Sequence, residues 1–269
     1  MPTELSAANL RGVVGNYRGI VPYLSLQRGC EIFFRTPFSR YTPAEVRTDM
    51  SREFLALAQD KLRDLQMEAR AEGVRLGELR KINKDFANAY RFRHMRVFYK
   101  EPLKLRLESE VQGQRITYIL NGGQKLVIAP RQRVREDVSN SPGKKQTPMD
   151  FGFFTPSVAR QFDVKFLREE RENGILYLVF ELQWNYGDDD ARHIVWIDPE
   201  RRYSARRVWY SRTGRYRARF EYKDPVEAAP GIWIPSKIEV YNVDQRFGGR
   251  TVNTNIRVNQ GLDDRLFDV

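Results

Sequence analysis

A chain of 269 residues and 31.7 kDa has room for one large β-rich domain or two small ones, and with 41% hydrophobic and 30% charged residues it does not have the composition of a disordered polymer. The formal net charge of +11 and a pI near 9.8 favour anionic partners such as nucleic acid, anionic lipid headgroups or acidic protein surfaces, and say nothing about fold. A single cysteine, Cys30, excludes an intramolecular disulfide and a multi-cysteine metal site, and the two histidines, His94 and His193, argue against a histidine-built metal or catalytic centre.

No stretch approaches the roughly 18 apolar residues that span a bilayer. The opening Met1-Pro2-Thr3-Glu4 leads directly into a polar helix rather than a secretion signal, so the expectation is either a cytoplasmic protein or a trimmed, mature form. Cys30 follows "LSLQRG", whose arginine is unlike a lipid-attachment site, and reads as a lone thiol in or near a core. A helical stretch is expected over Leu5 to about Tyr17, with residues 20 to 41 irregular. Thr42-Pro43-Ala44-Glu45 is a capping box with proline at the first helical position. From there Val46, Met50, Phe54, Leu55, Ala58, Leu62, Leu65 and Ala69 recur at helical spacing, predicting one long amphipathic helix that stops at Gly73.

From about Asp85 the apolar period changes to two. In "PLKLRLESEV", Leu103, Leu105 and Leu107 alternate with Lys104, Arg106 and Glu108. "RITYIL" places Ile116, Tyr118 and Leu120 on one side, and the "NGG" turn hands the chain to "QKLVIA". Residues 131–150 are polar and turn-rich, an expected long loop, and a short helix follows near 156–161. "ILYLVFELQW", "HIVWID", "ARRVWYS", "RYRARFEY", "GIWIPSKIEVYN" and "RTVNTNIRVN" then continue the strand and turn rhythm. About ten or eleven strands joined mostly by short turns specify an antiparallel sheet. The expected class is α+β: one domain over 1–269, mostly helical through 1–80, with a strongly curved, unclosed half-barrel over 85–269 whose concave face is covered by the N-terminal helices.

Most strands have one apolar and one charged face, and leaving the apolar face wet would cost roughly 1.5–3 kcal/mol for each large side chain. It is filled either by helices packed as permanent core or by helices acting as a lid over a lipid-sized cavity. The candidate lining of such a cavity is Leu103, Leu105, Leu107, Ile116, Tyr118, Leu178, Phe180, Trp196, Tyr210, Tyr216, Phe220, Ile234 and Ile238. Tyrosine and tryptophan on such a face suit a ligand pocket, because their polar tips need partners when buried.

"VFYKEPLKLRLESEVQGQRITYILNGGQKLVIAP" resembles the bacterial periplasmic outer-membrane lipoprotein carrier (lipoprotein-sorting) family. So does the order of later motifs, "VWIDPERRYSARRVWYSRTGRYRARFEY" and then "GIWIPSKIEV". The resemblance covers about residues 85–269. It implies an unclosed antiparallel barrel covered by helices, a carrier of lipoprotein acyl chains or lipid in the periplasm, no cofactor and no catalysis, with membrane surfaces or membrane-bound donor and acceptor proteins as partners. One departure is that Glu101, beside Lys100, stands before the proline where certain carriers place an arginine that helps hold the lid.

Other chemistries find weaker support. Residues 201–220 hold eight arginines interleaved with Tyr203, Trp209, Tyr210, Tyr216 and Phe220, a nucleic-acid composition. Strict alternation sends Arg215, Arg217 and Arg219 to the opposite face from Tyr216 and Phe220, which disfavours nucleic acid and suggests a solvated basic outer face. "GDDDARH" (187–193) lacks the ligand spacing of a calcium loop and reads as a hairpin tip. No phosphate loop or nucleophile elbow is present, and the adjacent acids Glu169/Glu170 and Asp263/Asp264 face apart in a strand. The alternatives to a carrier are a non-transporting envelope interaction domain with a solid core and a basic nucleic-acid-binding protein.

Overall fold

The computed structural model describes residues 43–187 and 189–269. The expected helix at Leu5–Tyr17, the stretch 20–41, Cys30, Thr42 and Asp188 lie outside them. The described residues form four short α-helices, α1 (Pro43–Ala56), α2 (Leu76–Ile82), α3 (Lys84–Ala89) and α4 (Pro156–Ala159), and one 13-stranded sheet.

Strand β1 (Asp64–Glu72) sits in the middle of that sheet. To one side run β2 (His94–Lys100), β3 (Lys104–Val111), β4 (Gln114–Asn121), β5 (Gln124–Ala129) and the edge strand β6 (Gln132–Asp137). From the other edge, β7 (Phe162–Glu172), β8 (Ile175–Trp184), β9 (Arg192–Asp198), β10 (Tyr203–Tyr210), β11 (Tyr216–Ala229), β12 (Ile232–Tyr241) and β13 (Phe247–Val258) meander back until β13 pairs with β1. Every neighbouring pair is antiparallel. Tight turns make this possible: Asn173 and Gly174 both take positive φ (51° and 81°), the geometry that lets a two-residue loop follow the strand twist.

The edges are unpaired with each other, yet the sheet curls. Eleven strand spacings separate β6 from β8 in this order, and at about 4.8 Å each a flat sheet would hold them roughly 53 Å apart. A Cβ placed on Gly187, however, would lie 2.5 Å from the carbonyl oxygen of Asn140. Each of these residues lies only three positions beyond the end of its strand, a combined reach of about 20 Å. Only a curved sheet brings those ends together.

Three expectations need correction. The long helix ends at Ala56, and Leu65, Met67 and Ala69 belong to the central strand β1, so the 43–80 part of the N-terminal third is not mostly helical. Residues 85–89, where alternation was expected to begin, still belong to helix α3. The loop at 131–150 contains edge strand β6 and two 3₁₀ turns, Pro142–Lys144 and Pro148–Phe151. With β1 and β7 this brings the strand number to 13 rather than ten or eleven. The short helix expected near 156–161 is α4, over Pro156–Ala159.

The link 138–161 has to carry the chain from edge β6 to edge β7, and it does so across one face of the sheet. Val138, Met149, Phe151, Phe153, Phe154 and Val158 of this link are all buried in the main core. Phe54 at the end of α1 joins them, packed edge-on to Phe154 (5.0 Å between ring centres) and to Phe180 of β8 (5.3 Å). Buried Gln59 then fixes the chain after α1, its amide donating to the carbonyls of Arg201, Arg202 and Trp233 at 2.9–3.2 Å. On the other face, the C-terminal 3₁₀ turn Asp264–Phe267 buries Phe267 among Phe98, Ile119 and Leu126. Buried Asp64 ties that tail to β1, its carboxylate accepting from the amides of Gln260, Gly261 and Leu262.

Candidate functional site

Cross-strand pairing decides which side chains share a face. Phe180 lies opposite Val195, Val195 opposite Arg207, Arg207 opposite Phe220, and Phe220 opposite Val240. This row defines the core face, the one roofed by Phe54 and the link 138–161. Leu103, Leu105, Leu107, Leu178, Phe180, Phe220, Ile234 and Ile238 are buried in its main cluster, and Tyr118 is half-buried against it. Ile116 is buried one step further along β4 on the same side, opposite Ser109. Leu103 reaches the cluster from the turn before β3 rather than from the strand.

Trp196, Tyr210 and Tyr216 do not belong to this lining. They sit on the opposite face, in a second cluster with Tyr177, Val179 and Val208. Two irregularities explain the error. "HIVWID" is apolar on both sides, and its core-facing members are Val195 and Ile197. Between β10 and β11 the register jumps: Trp209 pairs with Ala218 but Tyr210 with Tyr216, leaving Arg217 as an extra residue. Such a bulge reverses alternation on one side of itself. Tyr216 therefore packs edge-on to Tyr210 (5.9 Å), while Arg217 lies over the Trp209 ring (5.7 Å) and donates to the carbonyl of Ile82.

The outer face carries Arg219 as expected but not Arg217, which the bulge sends to Trp209 and Ile82, and the arginines on that face are not free. Arg206 donates to Glu172 and Glu221 and lies over Trp196 at 5.1 Å, with Arg168 over the same ring. Arg192 covers Tyr210, and Arg219 covers Tyr241 and pairs with Glu221. Beside them, buried Glu239 takes Lys223, Arg250 and the Tyr241 hydroxyl. Burial pushes its carboxyl up, but those donors outweigh burial and hold it at about 2. The "GDDDARH" tip is likewise occupied: Asp189 accepts from the Ala191 amide and Asp190 pairs with Arg212.

Polar groups on the core face are few and grouped. Arg207 is 5% exposed, its guanidinium stacked on the Phe220 ring at 4.1 Å and bonded to Asp150 of the link at 3.0 Å. Asp150 also accepts from the Thr147 amide, closing the capping box of the 3₁₀ turn Pro148–Phe151. Tyr222, fully buried, donates to the carbonyl of Met149, and burial raises its phenol. His193, directly opposite Trp209, is held well below the usual histidine range by burial and then by the Arg207 charge, so it is neutral. Arg207 Nε, His193 Nδ1 and Trp209 Nε1 are buried without hydrogen-bond partners. Sequence reasoning missed this group, since one arginine among eight and an aspartate in an expected loop carry no mark of burial.

Where the link meets the rim of the sheet, a cleft of about 390 Å³ opens between Leu62, Arg63, Glu101 and Pro102 on one side and Pro156, Ser157 and Arg160 on the other. A second cleft, of about 280 Å³, lies among Glu172, Tyr177, Trp196, Arg206 and Glu221. Neither is lined by Phe54, Phe180 or Phe220. The rim cleft includes Glu101, the residue that departs from the resemblance, and the adjacent Tyr99 hydroxyl bonds Thr155 at 2.9 Å.

Solved structures share this architecture. A DUF1329 family protein from Desulfovibrio piger superposes with a TM-score of 0.57 at 15% identity, over 85% of this chain and 98% of that one. A domain assigned to an outer membrane lipoprotein-sorting protein of Vibrio parahaemolyticus gives 0.58 at 14% identity, over 84% and 97% of the two chains. A LolA superfamily protein from Nitrosomonas europaea gives 0.50 at 16%, over 83% and 98%. The fold is LolA-like. No family model and no curated protein sequence matches the chain. The resemblance read from the order of hairpin motifs therefore holds as a distant, LolA-like likeness of fold.

Proposed function

We propose that this protein is a non-catalytic carrier, one unit over its whole length, that holds an acyl chain, lipid or lipoprotein between the core face of its curled sheet and the non-sheet segments laid on it, for transfer across the bacterial periplasm. The observation that carries this reading is the roof: an apolar sheet face is covered by phenylalanines from α1 and from a crossing link, rather than by a second sheet. A roof of separate segments can part from the sheet without unpairing a strand, and the rim cleft lies along that seam. In the loaded form the candidate lining residues of the core face would contact the chain, α1 would act as the lid, and the basic outer face and rim would attend to anionic membrane or partner surfaces.

A second reading has its own support. Phe54, Phe154 and Phe180 fill the roofed face with edge-to-face contacts, as a permanent core would, which suits an envelope interaction domain that transports nothing. Native mass spectrometry of gently purified protein, with titration of a fluorescent fatty acid, separates the two. The carrier reading expects co-purifying lipid or saturable uptake at one site. Repeated absence of both leaves the interaction domain.

A further inference from the structure

The core face contains a charge that an acyl chain has no use for. Arg207 is placed in the middle of the row Phe180, Val195, Arg207, Phe220, Val240, with an apolar neighbour on each side. A guanidinium has five N–H donors, and burying it is costly unless it is paired and its donors are met. Here it has one ionic bond, to Asp150 Oδ1 at 3.0 Å, and the Tyr222 hydroxyl beside it, while Nε is unmet. The counter-charge comes from the roof, not from the sheet, and the Asp150 side chain is still 30% exposed.

Two further unmet nitrogens stand beside it. Trp209 is two residues along β10, on the same face, and His193 lies directly across from Trp209 on β9. The indole Nε1 can only donate, and neutral His193 can present a donor on Nδ1. Two buried donors, Arg207 Nε and Trp209 Nε1, and one ring nitrogen of His193 thus share a face of two adjacent strands without a partner, a set suited to a group with two oxygens and a negative charge. Phe54, on the far side of the row, lies against Phe180, two strands and so about 10 Å from Arg207. A chain entering where Phe54 sits would bring its head to the guanidinium.

We propose that the carried ligand is a long-chain carboxylate whose head is bound by Arg207 with Trp209 and His193, and that Asp150 is its internal stand-in, displaced when the ligand loads. This rests on the carrier reading and adds to it the chemistry of the head group. It makes the Asp150–Arg207 pair a latch: the empty protein neutralises Arg207 with its own roof, and the loaded protein does so with cargo.

The test uses the full chain and one fluorophore with two heads, 16-(9-anthroyloxy)palmitic acid and its methyl ester, titrated by fluorescence anisotropy. The wild type is expected to bind the acid about tenfold more tightly than the ester, the range of a charge-assisted bidentate pair over a neutral one. Asp150→Asn should tighten the acid several-fold and leave the ester unchanged. Arg207→Met alone strands Asp150 near an apolar face, so the fold is protected by using Arg207→Met with Asp150→Asn, checked by circular dichroism. In that double variant the preference for the acid should vanish while the ester still binds. Equal binding of both probes to the wild type, or an undiminished preference in the double variant, overturns the inference and leaves the carrier reading standing. Binding of neither probe to the wild type removes both.

Discussion

Phe54→Ala tests how the roof is held. Phe54 is 1% exposed and the only residue of α1 from Met50 onward that is fully buried; Ser51, Arg52, Glu53 and Ala56 are exposed. Its ring meets Phe154 of the link and Phe180 of β8, so truncation removes two edge-to-face pairs and opens a hollow between roof and sheet. Phe-to-Ala changes at sites of this kind cost about 3–5 kcal/mol, including the unfilled cavity. Urea unfolding followed by tryptophan fluorescence should show a loss of about 4 kcal/mol with an unchanged slope, since Trp184, stacked on Phe162 at 4.1 Å, reports the same core. The carrier reading adds a second expectation. A chain that fills the hollow at a hundred times its dissociation constant returns about 2.7 kcal/mol, most of what the substitution took away. Palmitate should therefore restore the variant far more than it raises the wild type. A loss below about 1 kcal/mol would refute the placement of α1, and a full loss with no recovery in palmitate would refute a ligand site beneath it.

Other predictions follow from single sites. Glu239→Gln mimics the protonated acid, and a carboxyl held at about 2 against an ordinary 4.5 contributes roughly 3 kcal/mol when ionised. Because the folded value is the depressed one, the difference from wild type in urea melts should be full at pH 7, begin to shrink near pH 4.5 and disappear near pH 2; a pH-independent difference would be inconsistent with the Lys223–Arg250–Tyr241 cluster. Asp64→Ala leaves the amides of Gln260, Gly261 and Leu262 without their acceptor, and should cost about 2–4 kcal/mol while speeding amide exchange in the C-terminal tail. Gly152→Ala forces a side chain at φ +86° to within 2.5 Å of the Tyr222 ring, and a loss of at least about 2 kcal/mol is expected in thermal melts.

Alternation made β3 and β12 legible, because each has one face under charge and the other in the core, and β4 and β8 legible because their core-facing residues still recur at period two although Ile119, Tyr177 and Val179 are buried on the other face. The central strand was hidden for a physical reason. Leu62, Leu65 and Ala69 fit a helical stripe as well as Leu65, Met67 and Ala69 fit a strand, and no glycine or proline between 57 and 64 marks where α1 ends. Edge strand β6 was hidden by the charges that suit an edge: Arg133 and Arg135 point to water and give the segment a loop-like composition. On the candidate site, the aliphatic and phenylalanine members were placed on the correct face, and the misplaced members were Trp196, Tyr210 and Tyr216. Their faces depend on pairing partners and on a bulge at Arg217, which belong to the sheet rather than to any one strand. The same dependence concealed Arg207. In "ARRVWYS" nothing local says which of two adjacent arginines faces a phenylalanine and which faces solvent.

The roof is not equally easy to part along its length, and this bears on how a carrier of this build would load. The link is secured through Met149, Phe151, Phe153, Phe154 and Val158, all buried, at roughly 1.5–3 kcal/mol each. It is also tied by the Gln59 amide to Phe154, the Ser204 amide to Gly152, Tyr222 to Met149 and Tyr99 to Thr155. Lifting it whole would cost on the order of 10 kcal/mol or more, comparable to the stability of an ordinary domain. Helix α1 is held, from Met50 to its end, chiefly by Phe54, with Leu55 half-buried. Freeing residues 50–56 costs about the transfer of one phenylalanine and part of a leucine, within what an acyl chain of many methylenes, each worth about 0.8 kcal/mol when buried, can supply. If the protein is a carrier, loading by movement of α1, with the link in place and only the Asp150 side chain turning aside, would be the energetically accessible route, and it would deliver the chain to the row of the sheet that contains Arg207.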